Sequence, residues 1–182
     1  QHFGDAVADP FRLVEAVRNA IKPETILISI MFANNEVGTI QPIAEIGALA
    51  RERKIYFHTD AVQAVGNWPI DVKEMNIDLL TMSGHKFNAP KEIGALYVRK
   101  GVRLRSIQQG GGQERHLRPG TENVPGIVGL GLAAEKARLG MTEKIRYTTG
   151  LRDRLLSGIL ATVPEIKLNG HPTQRLPGNV NV

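Results

Sequence analysis

The spacing of apolar residues along the chain predicts a helix followed by a strand. Apolar positions three and four residues apart predict an amphipathic helix, for which Asp9 and Pro10 supply a favourable N-cap and first helical residue. Pro23 ends this helix, because proline cannot continue it. The nearly unbroken apolar and β-branched run over residues 25–32 then predicts a strand buried on both faces of a parallel sheet.

The same alternation of helix and strand continues beyond this first pair. The pattern predicts a helix over residues 43–53, a strand over residues 54–59 and a further strand over residues 77–82. A short apolar run at residues 95–98 predicts a fourth strand, antiparallel because too little chain precedes it for a helical crossover. We therefore expect an α/β fold with one mainly parallel sheet flanked by helices.

The later part of the chain has a different character. Residues 108–121 are rich in glycine and show no period, which predicts a loop. Two helices are predicted after it, over residues 124–139 and from residue 142 to about residue 163. We place a domain boundary near the start of the second of these helices, so that residues 1–140 and 141–182 belong to different domains.

Composition and charge narrow the class of protein. Of 182 residues, 42% are hydrophobic and 23% charged, which is typical of a globular chain with a real core. The net charge is +5, but lysine and arginine are scattered and aromatic residues make up only 5%, so no nucleic-acid partner is indicated. No apolar run approaches the roughly 18 residues of a membrane span, and no secretory segment opens the chain, so we expect a cytoplasmic protein without a membrane partner.

The sequence lacks an initiator methionine and cysteine, and each absence affects what we expect of the protein. The chain does not begin with methionine and ends in a strand-like pattern at residues 179–182, so we expect it to be an internal piece of a longer protein. It contains no cysteine, which excludes disulfides, thiolate metal sites and a thiol nucleophile within these 182 residues.

The run Ser83-Gly84-His85-Lys86 is the most informative local motif. It directly follows the predicted strand over residues 77–82, and ligands bind at the carboxyl ends of strands in open α/β sheets. A lysine amine is costly to desolvate there, and a Schiff base with an aldehyde cofactor is the best-known reason for such a lysine. The motif therefore suggests pyridoxal phosphate.

Polar residues also follow the two preceding strands, and they would converge with this motif if the strands are neighbours. A pyridoxal cofactor needs an amine, a carboxylate for the pyridine nitrogen, a donor for the ring oxygen and donors for the phosphate. These needs are matched, in that order, by Lys86, by Asp60, by Gln63 or Asn35, and by Ser83 together with His85.

Each of these residues also has an ordinary structural explanation. An aspartate after a strand is more often a helix N-cap or a turn residue than a ligand of a cofactor, and this applies to Asp60. Asn34 and Asn35 are equally typical of a turn. His58 and His85 lack the spacing of metal ligands, so we expect histidines satisfied in the core or at the surface and no metal site.

Six motifs occur along the chain in an order that is recognisable as a set. They are Asn34-Asn35-Glu36-Val37-Gly38, His58-Thr59-Asp60-Ala61-Val62-Gln63, Ser83-Gly84-His85-Lys86-Phe87, Pro90-Lys91, Gly94-Ala95-Leu96-Tyr97 and Arg118-Pro119-Gly120-Thr121. This order resembles the cysteine desulfurases, in the subgroup that serves iron–sulfur assembly. The resemblance implies the aspartate-aminotransferase type of fold, with this chain as the later part of the large-domain sheet and the start of the small domain.

The resemblance also implies roles at the cofactor ring. The lysine matching Lys86 forms the Schiff base and moves the substrate proton, and the aspartate matching Asp60 pairs with the pyridinium. The glutamine matching Gln63 contacts the ring oxygen, and Asn35 matches a residue near that oxygen and the substrate carboxylate. Glycine is the expected residue at or near Ala89 and Glu92, where this chain departs from the pattern.

Further implications concern the phosphate and the partners. Ser83 and His85 match phosphate ligands, and Thr121 matches a threonine that reaches the phosphate in the partner subunit, which implies a homodimer. The substrate implied is L-cysteine, converted to L-alanine and an enzyme-bound persulfide, with a sulfur-acceptor scaffold protein as a possible partner. Because that reaction needs a cysteine nucleophile, we predict that this segment alone is inactive.

Other functions remain open from the residues alone. A selenocysteine lyase shares the lysine motif and the cofactor contacts. An aminotransferase or lyase of the same fold would keep Asp60 and Lys86 without needing a distal thiol. A non-catalytic binding piece, which donates Thr121 or a docking surface to a partner, is the third alternative.

Overall fold

The structure is a computed structural model that describes residues 10–182. Its first helix, α1, runs over Pro10–Ala20 and ends before Pro23, as predicted. The proposed N-cap, Asp9, lies outside the described residues. Leu13 and Val17 lie on one face of α1 and are buried in the hydrophobic core.

A four-stranded sheet forms the centre of the fold. Its strands are β1 (Leu27–Met31), β2 (Tyr56–Asp60), β3 (Leu79–Ser83) and β4 (Gly94–Val98), and they lie side by side in that order. The first three strands pair in parallel, and β4 pairs with β3 in the antiparallel direction. The predicted mainly parallel sheet and the antiparallel fourth strand are both confirmed.

The two faces of the sheet differ in burial. On one face, Phe57 and Thr59 of β2 are fully buried, and the second helix, α2 (Ile43–Glu52), packs against β2. On the other face, Ser29 of β1 is exposed and His58 of β2 is half-buried, so the prediction that the first strand is buried on both faces is wrong. Side chains alternate between faces along a strand, so Asp60 shares the second face with His58.

The two helices predicted in the later part of the chain are in fact one. Helix α4 runs without interruption over Val124–Thr162, 39 residues, so the predicted break near residue 140 is wrong. The reason is that a single glycine, here Gly140, costs a helix only about 1 kcal/mol and does not end it. Asn123 caps the helix by accepting a hydrogen bond from the Gly126 amide at 3.1 Å. The predicted domain boundary between residues 140 and 141 is a separate expectation, and it stays a prediction.

The segment between β4 and α4 is mostly irregular, as predicted. It contains one short turn, α3 (Gln113–His116), in which Glu114, Arg115 and His116 have φ angles of 43°, 58° and 63°. After α4, Arg175 forms an isolated antiparallel bridge with Thr39, and Leu176 joins the buried core. Within residues 10–182, no helix combines the length and the apolar character that a bilayer crossing requires.

Candidate functional site

Three polar strand exits lie side by side at one edge of the sheet. Asp60 is the last residue of β2, and it pairs with Met31 of β1 on one side and with Thr81 of β3 on the other. Asn35 follows β1, and Ser83 ends β3. The strand order therefore brings together the three exits that the sequence interpretation singled out.

The carboxylate of Asp60 is half-buried and takes part in its own turn. Its Oδ1 atom accepts a hydrogen bond from the Val62 amide at 3.0 Å, which is the turn role considered as the alternative. A carboxylate has two oxygens with about four acceptor positions. The turn contact is therefore compatible with a second contact to a ring N–H, and the pairing with a pyridinium stays a prediction.

His58 lies on the same face of the sheet as Asp60 and is held from two neighbouring strands. Its Nδ1 atom lies 2.7 Å from Ser29 Oγ, and its Nε2 atom lies 3.4 Å from Thr81 Oγ1. Burial lowers the pKa of His58 below the ordinary histidine value, and the negative charge of Asp60 partly opposes that shift. Both ring nitrogens have partners, as expected for a satisfied histidine.

We expect the pKa of the His58 imidazole to depend on the charge of Asp60. Replacing Asp60 by asparagine removes the charge that favours the imidazolium, so the already lowered pKa of His58 falls further. Because the unfolded chain then binds protons more readily than the folded chain, folding stability drops as the pH falls from about 6.5 towards the lowered pKa. NMR titration of the His58 ring protons measures this shift.

The matched control for this titration is Asp153→Asn, which removes an exposed carboxylate on α4. We expect the control to leave the pKa of His58 where it is in the unmodified chain. An unchanged His58 titration in Asp60→Asn would show that the two side chains do not interact on this face.

Lys86 lies in a tight turn directly after β3. The 3-10 turn Gly84–Phe87 ends at Asn88, which has a left-handed φ of 70°. Phe87 is 2% exposed and anchors the turn in the protein, whereas Lys86 is exposed. Ser83 Oγ lies 2.9 Å from His85 Nδ1, so the two predicted phosphate ligands are in mutual contact.

Asn35 and Gln63 line a shared cavity of about 240 Å³. Its other walls include Lys144 of α4 and residues 176–179. Asp60 and Lys86 do not belong to the lining residues of this cavity within the described part of the chain. The structure therefore brings the two predicted ring-oxygen contacts together in one cavity, whereas the strand order places Asp60 and the turn of Lys86 at the same edge of the sheet.

The remaining sequence expectations have less structural support. Thr121 is exposed just before α4, and no hydrogen bond or ion pair joins it to the strand exits within residues 10–182. Glu92 has a φ of 63°, a conformation that glycine adopts more readily, so the expectation of glycine there has a structural basis. The roles of Ser83, His85 and Thr121 as phosphate ligands stay predictions.

The donor set at this edge fits pyridoxal phosphate. An exposed lysine amine, a carboxylate, two amides, a hydroxyl and an imidazole follow three adjacent strands, and each matches one chemical need of the cofactor. In the described residues 10–182, no group of three or more histidine, aspartate or glutamate side chains is arranged to hold a metal ion.

The sequence interpretation missed two residues that contact the turn carrying Asn35. Arg175 Nη2 donates to the Val37 carbonyl at 3.1 Å, and Asn179 Nδ2 donates to the Glu36 carbonyl at 2.8 Å. No local pattern could have indicated them, because they are far from this turn in the sequence and carry no motif of their own.

Comparisons with known proteins identify the family and fold that this chain resembles. The family described as Aminotransferase class-V matches residues 8–182. A Methanosarcina thermophila protein named Cysteine desulfurase IscS is 63% identical over 168 residues, which are 92% of this chain and 41% of that protein. A solved structure described as a NifS-like protein has a TM-score of 0.84 at 39% identity and covers 90% of this chain and 45% of its own.

A second solved structure, described as SspA in complex with cysteine, has a TM-score of 0.65 at 53% identity. The match covers 67% of this chain and 36% of that one. The chain therefore spans less than half the length of each of these three similar proteins.

Proposed function

This chain belongs to the aminotransferase class-V family, and from that membership we propose that it carries the pyridoxal-phosphate-binding part of a cysteine desulfurase. Cysteine desulfurases of this family are pyridoxal-phosphate enzymes. The likeness to the NifS-like structure confirms the predicted aspartate-aminotransferase type of fold. The observation that carries the proposal is the adjacency of three parallel strands whose exits bear Asn35, Asp60 and the turn with Lys86.

The residues at the ring have distinct tasks in this proposal. Pyridoxal phosphate supplies an electron sink that stabilises negative charge at the α-carbon of a bound amino acid. The Lys86 amine binds the cofactor covalently through Nζ and carries the substrate α-proton. The Asp60 carboxylate holds the ring nitrogen in its protonated form, and the amides of Asn35 and Gln63 donate to the ring oxygen.

The phosphate and the partner subunit complete the proposed site. Ser83 and His85, which contact each other at 2.9 Å, donate hydrogen bonds to the phosphate. Thr121 reaches the phosphate held by a second subunit, which makes the active protein a homodimer. The proposed setting is cytoplasmic, with a scaffold protein of iron–sulfur assembly as the acceptor of the sulfur.

L-Cysteine is the proposed substrate, and the similar structure described as SspA in complex with cysteine supports this choice. Desulfuration leaves L-alanine and passes the sulfur to an enzyme thiolate, which becomes a persulfide. The 182 residues contain no cysteine, so the nucleophile must come from outside them. We therefore predict that this chain binds cofactor and substrate without turning the substrate over.

The test uses the chain loaded with pyridoxal phosphate and freed of unbound cofactor by gel filtration. We expect L-cysteine to change the absorption spectrum of the bound cofactor, while alanine and sulfide form no faster than with the cofactor alone. D-Cysteine and L-aspartate are the comparison ligands, because a desulfurase site should prefer L-cysteine to both.

Three results would contradict parts of this proposal. A spectrum that no amino acid changes would contradict a substrate site. An equal response to L-aspartate would favour an aminotransferase. Rapid release of alanine and sulfide would show that the prediction of inactivity is wrong.

A further inference from the structure

Arg175 is a fully buried cation whose partners are all uncharged oxygens. It is 1% exposed and the largest fully buried side chain of the described residues. Its guanidinium donates to the carbonyls of Asn169, His171, Val37 and Asn179 at 3.1 to 3.3 Å, and to Asn179 Oδ1 at 2.8 Å. None of the ion pairs within residues 10–182 includes it.

This arrangement makes Arg175 a connector between two distant segments. A buried charge is tolerated only when its hydrogen-bonding groups are satisfied, and here the carbonyl dipoles of two chain segments satisfy them. One segment is residues 169–179, and the other is the turn after β1 that contains Val37. Moving either segment would leave donors of the guanidinium unpaired.

Asn179 extends this connection to the backbone of Asn35. Its Oδ1 atom accepts from Arg175 Nη2 at 2.8 Å, so the arginine orients the side-chain amide. The opposite end, Nδ2, donates to the Glu36 carbonyl at 2.8 Å and to the Asn35 carbonyl at 3.3 Å. A hydrogen-bonded path therefore runs from Arg175 through Asn179 to the residue predicted to face the cofactor ring.

The two segments also fit together closely in their backbones. The Leu176 amide donates to the Gly38 carbonyl at 2.9 Å, and the Ile40 amide donates to the Gln174 carbonyl at 2.9 Å. Gly38 has a φ of 73°, and a Cβ atom there would lie 2.2 Å from Asn179 Oδ1. The turn is thus held against residues 174–179 at contact distance.

The connection reaches the cavity of the candidate site, because Asn35 and Asn179 both line it. Asn35 is exposed and lines the same cavity as Gln63, and Gly178 and Asn179 form another part of its wall. We propose that Arg175 and Asn179 are positioning residues, which hold the turn of Asn35 so that its side chain meets the ring oxygen of the cofactor. The inference rests on the proposed function for the identity of that ligand, but the positioning itself concerns this chain alone.

The substitution Asn179→Asp separates positioning from folding. An aspartate at this position keeps the acceptor for Arg175 and gives the buried guanidinium an anionic partner, so we expect the fold to be retained. It loses the Nδ2 donor, so the Asn35 carbonyl loses this bond and the Glu36 carbonyl keeps only the bond from Asn181 Nδ2 at 3.2 Å. The same substitution at exposed Asn19 of α1 is the matched control, because it changes the charge equally without touching the turn.

Two readouts test the proposal. The first is hydrogen exchange of the Glu36 and Gly38 amides, which bond to Asn34 within the turn. Loss of about one hydrogen bond is expected to accelerate their exchange roughly fivefold in Asn179→Asp. The second is the affinity for pyridoxal phosphate, which we expect to fall by a similar factor while the thermal midpoint stays close to that of the unmodified chain.

A second variant, Arg175→Lys, keeps the positive charge but cannot reproduce the fork of donors. We expect it to accelerate exchange at the same amides, at temperatures well below its own unfolding transition. Unchanged exchange in both variants would overturn the positioning role. Faster exchange with unchanged cofactor affinity would overturn the link to the cofactor.

The failure of the proposed function has a different signature. If the unmodified chain does not bind pyridoxal phosphate at all, the proposed function fails, and hydrogen exchange alone decides whether Arg175 and Asn179 position the turn.

Discussion

Replacing Lys86 by alanine is expected to abolish the specific covalent capture of pyridoxal phosphate. The amine lies in the Gly84–Phe87 turn at the end of β3, exposed at the edge where the exits of β1 and β2 also lie. Without it, the remaining contacts can hold the cofactor only non-covalently. After borohydride reduction, we expect peptide mapping of the unmodified chain to find the cofactor adduct on Lys86. In Lys86→Ala, we expect the total amount of adduct on the chain to fall about tenfold or more.

Lys91 offers a matched control for this experiment. It is exposed and lies five residues further along the chain, outside the Gly84–Phe87 turn. We expect Lys91→Ala to leave the labelling of Lys86 unchanged, because an ordinary surface amine has no cofactor contacts around it. Equal labelling of the chain before and after the Lys86→Ala change would rule out Lys86 as the covalent anchor.

Gly47→Ala is expected to destabilise the fold, although alanine is the better helix former. Propensity alone favours alanine over glycine by about 1 kcal/mol inside a helix. In α2, however, a Cβ atom at Gly47 would lie 2.1 Å from the Met75 carbonyl oxygen. That carbonyl belongs to backbone held by the bond from the Met75 amide to Asp71 O at 3.0 Å, so it cannot easily move away. We expect a net loss of about 1 to 3 kcal/mol, measured by urea unfolding.

Gly140→Ala is expected to stabilise the fold when it is measured by the same urea unfolding. Gly140 lies inside α4, and no atom lies within 4 Å of a Cβ built there. With no clash to oppose propensity, we expect a gain of roughly 0.5 to 1 kcal/mol. If both alanine variants were stabilised equally, the close approach of α2 to Met75 would be disproved.

Much of the sheet could be predicted because its signals are local. The apolar run at residues 25–32 contains β1 (Leu27–Met31), and the short connection before β4 (Gly94–Val98) is enough to make that strand antiparallel. Helix α4 (Val124–Thr162) was harder to predict as one element, because Gly140 lies inside it and glycine often follows the end of a helix. Its course depends partly on tertiary contacts, such as the close approach of Gly129 to Pro90.

The candidate site also contains residues that could be predicted from local sequence and residues that could not. Asn35, Asp60 and Lys86 could be predicted because each follows a strand, and the carboxyl ends of parallel strands meet at one edge. Arg175 and Asn179 could not, because their contacts with the Asn35 turn join segments about 140 residues apart in the sequence. Such contacts leave no period, cap or turn signature in any short stretch of sequence.

The sequence by itself determined the type of most elements and the polar residues that follow each strand. Backbone hydrogen bonding and side-chain periodicity are local properties, and a short window of residues contains them. The tertiary structure alone decided that β1, β2 and β3 are neighbours, that Gly47 has no room for a methyl group, and that Arg175 is buried against the turn of Asn35. These outcomes depend on free energies of contact between segments that are distant in the sequence, and only the folded chain brings those segments together.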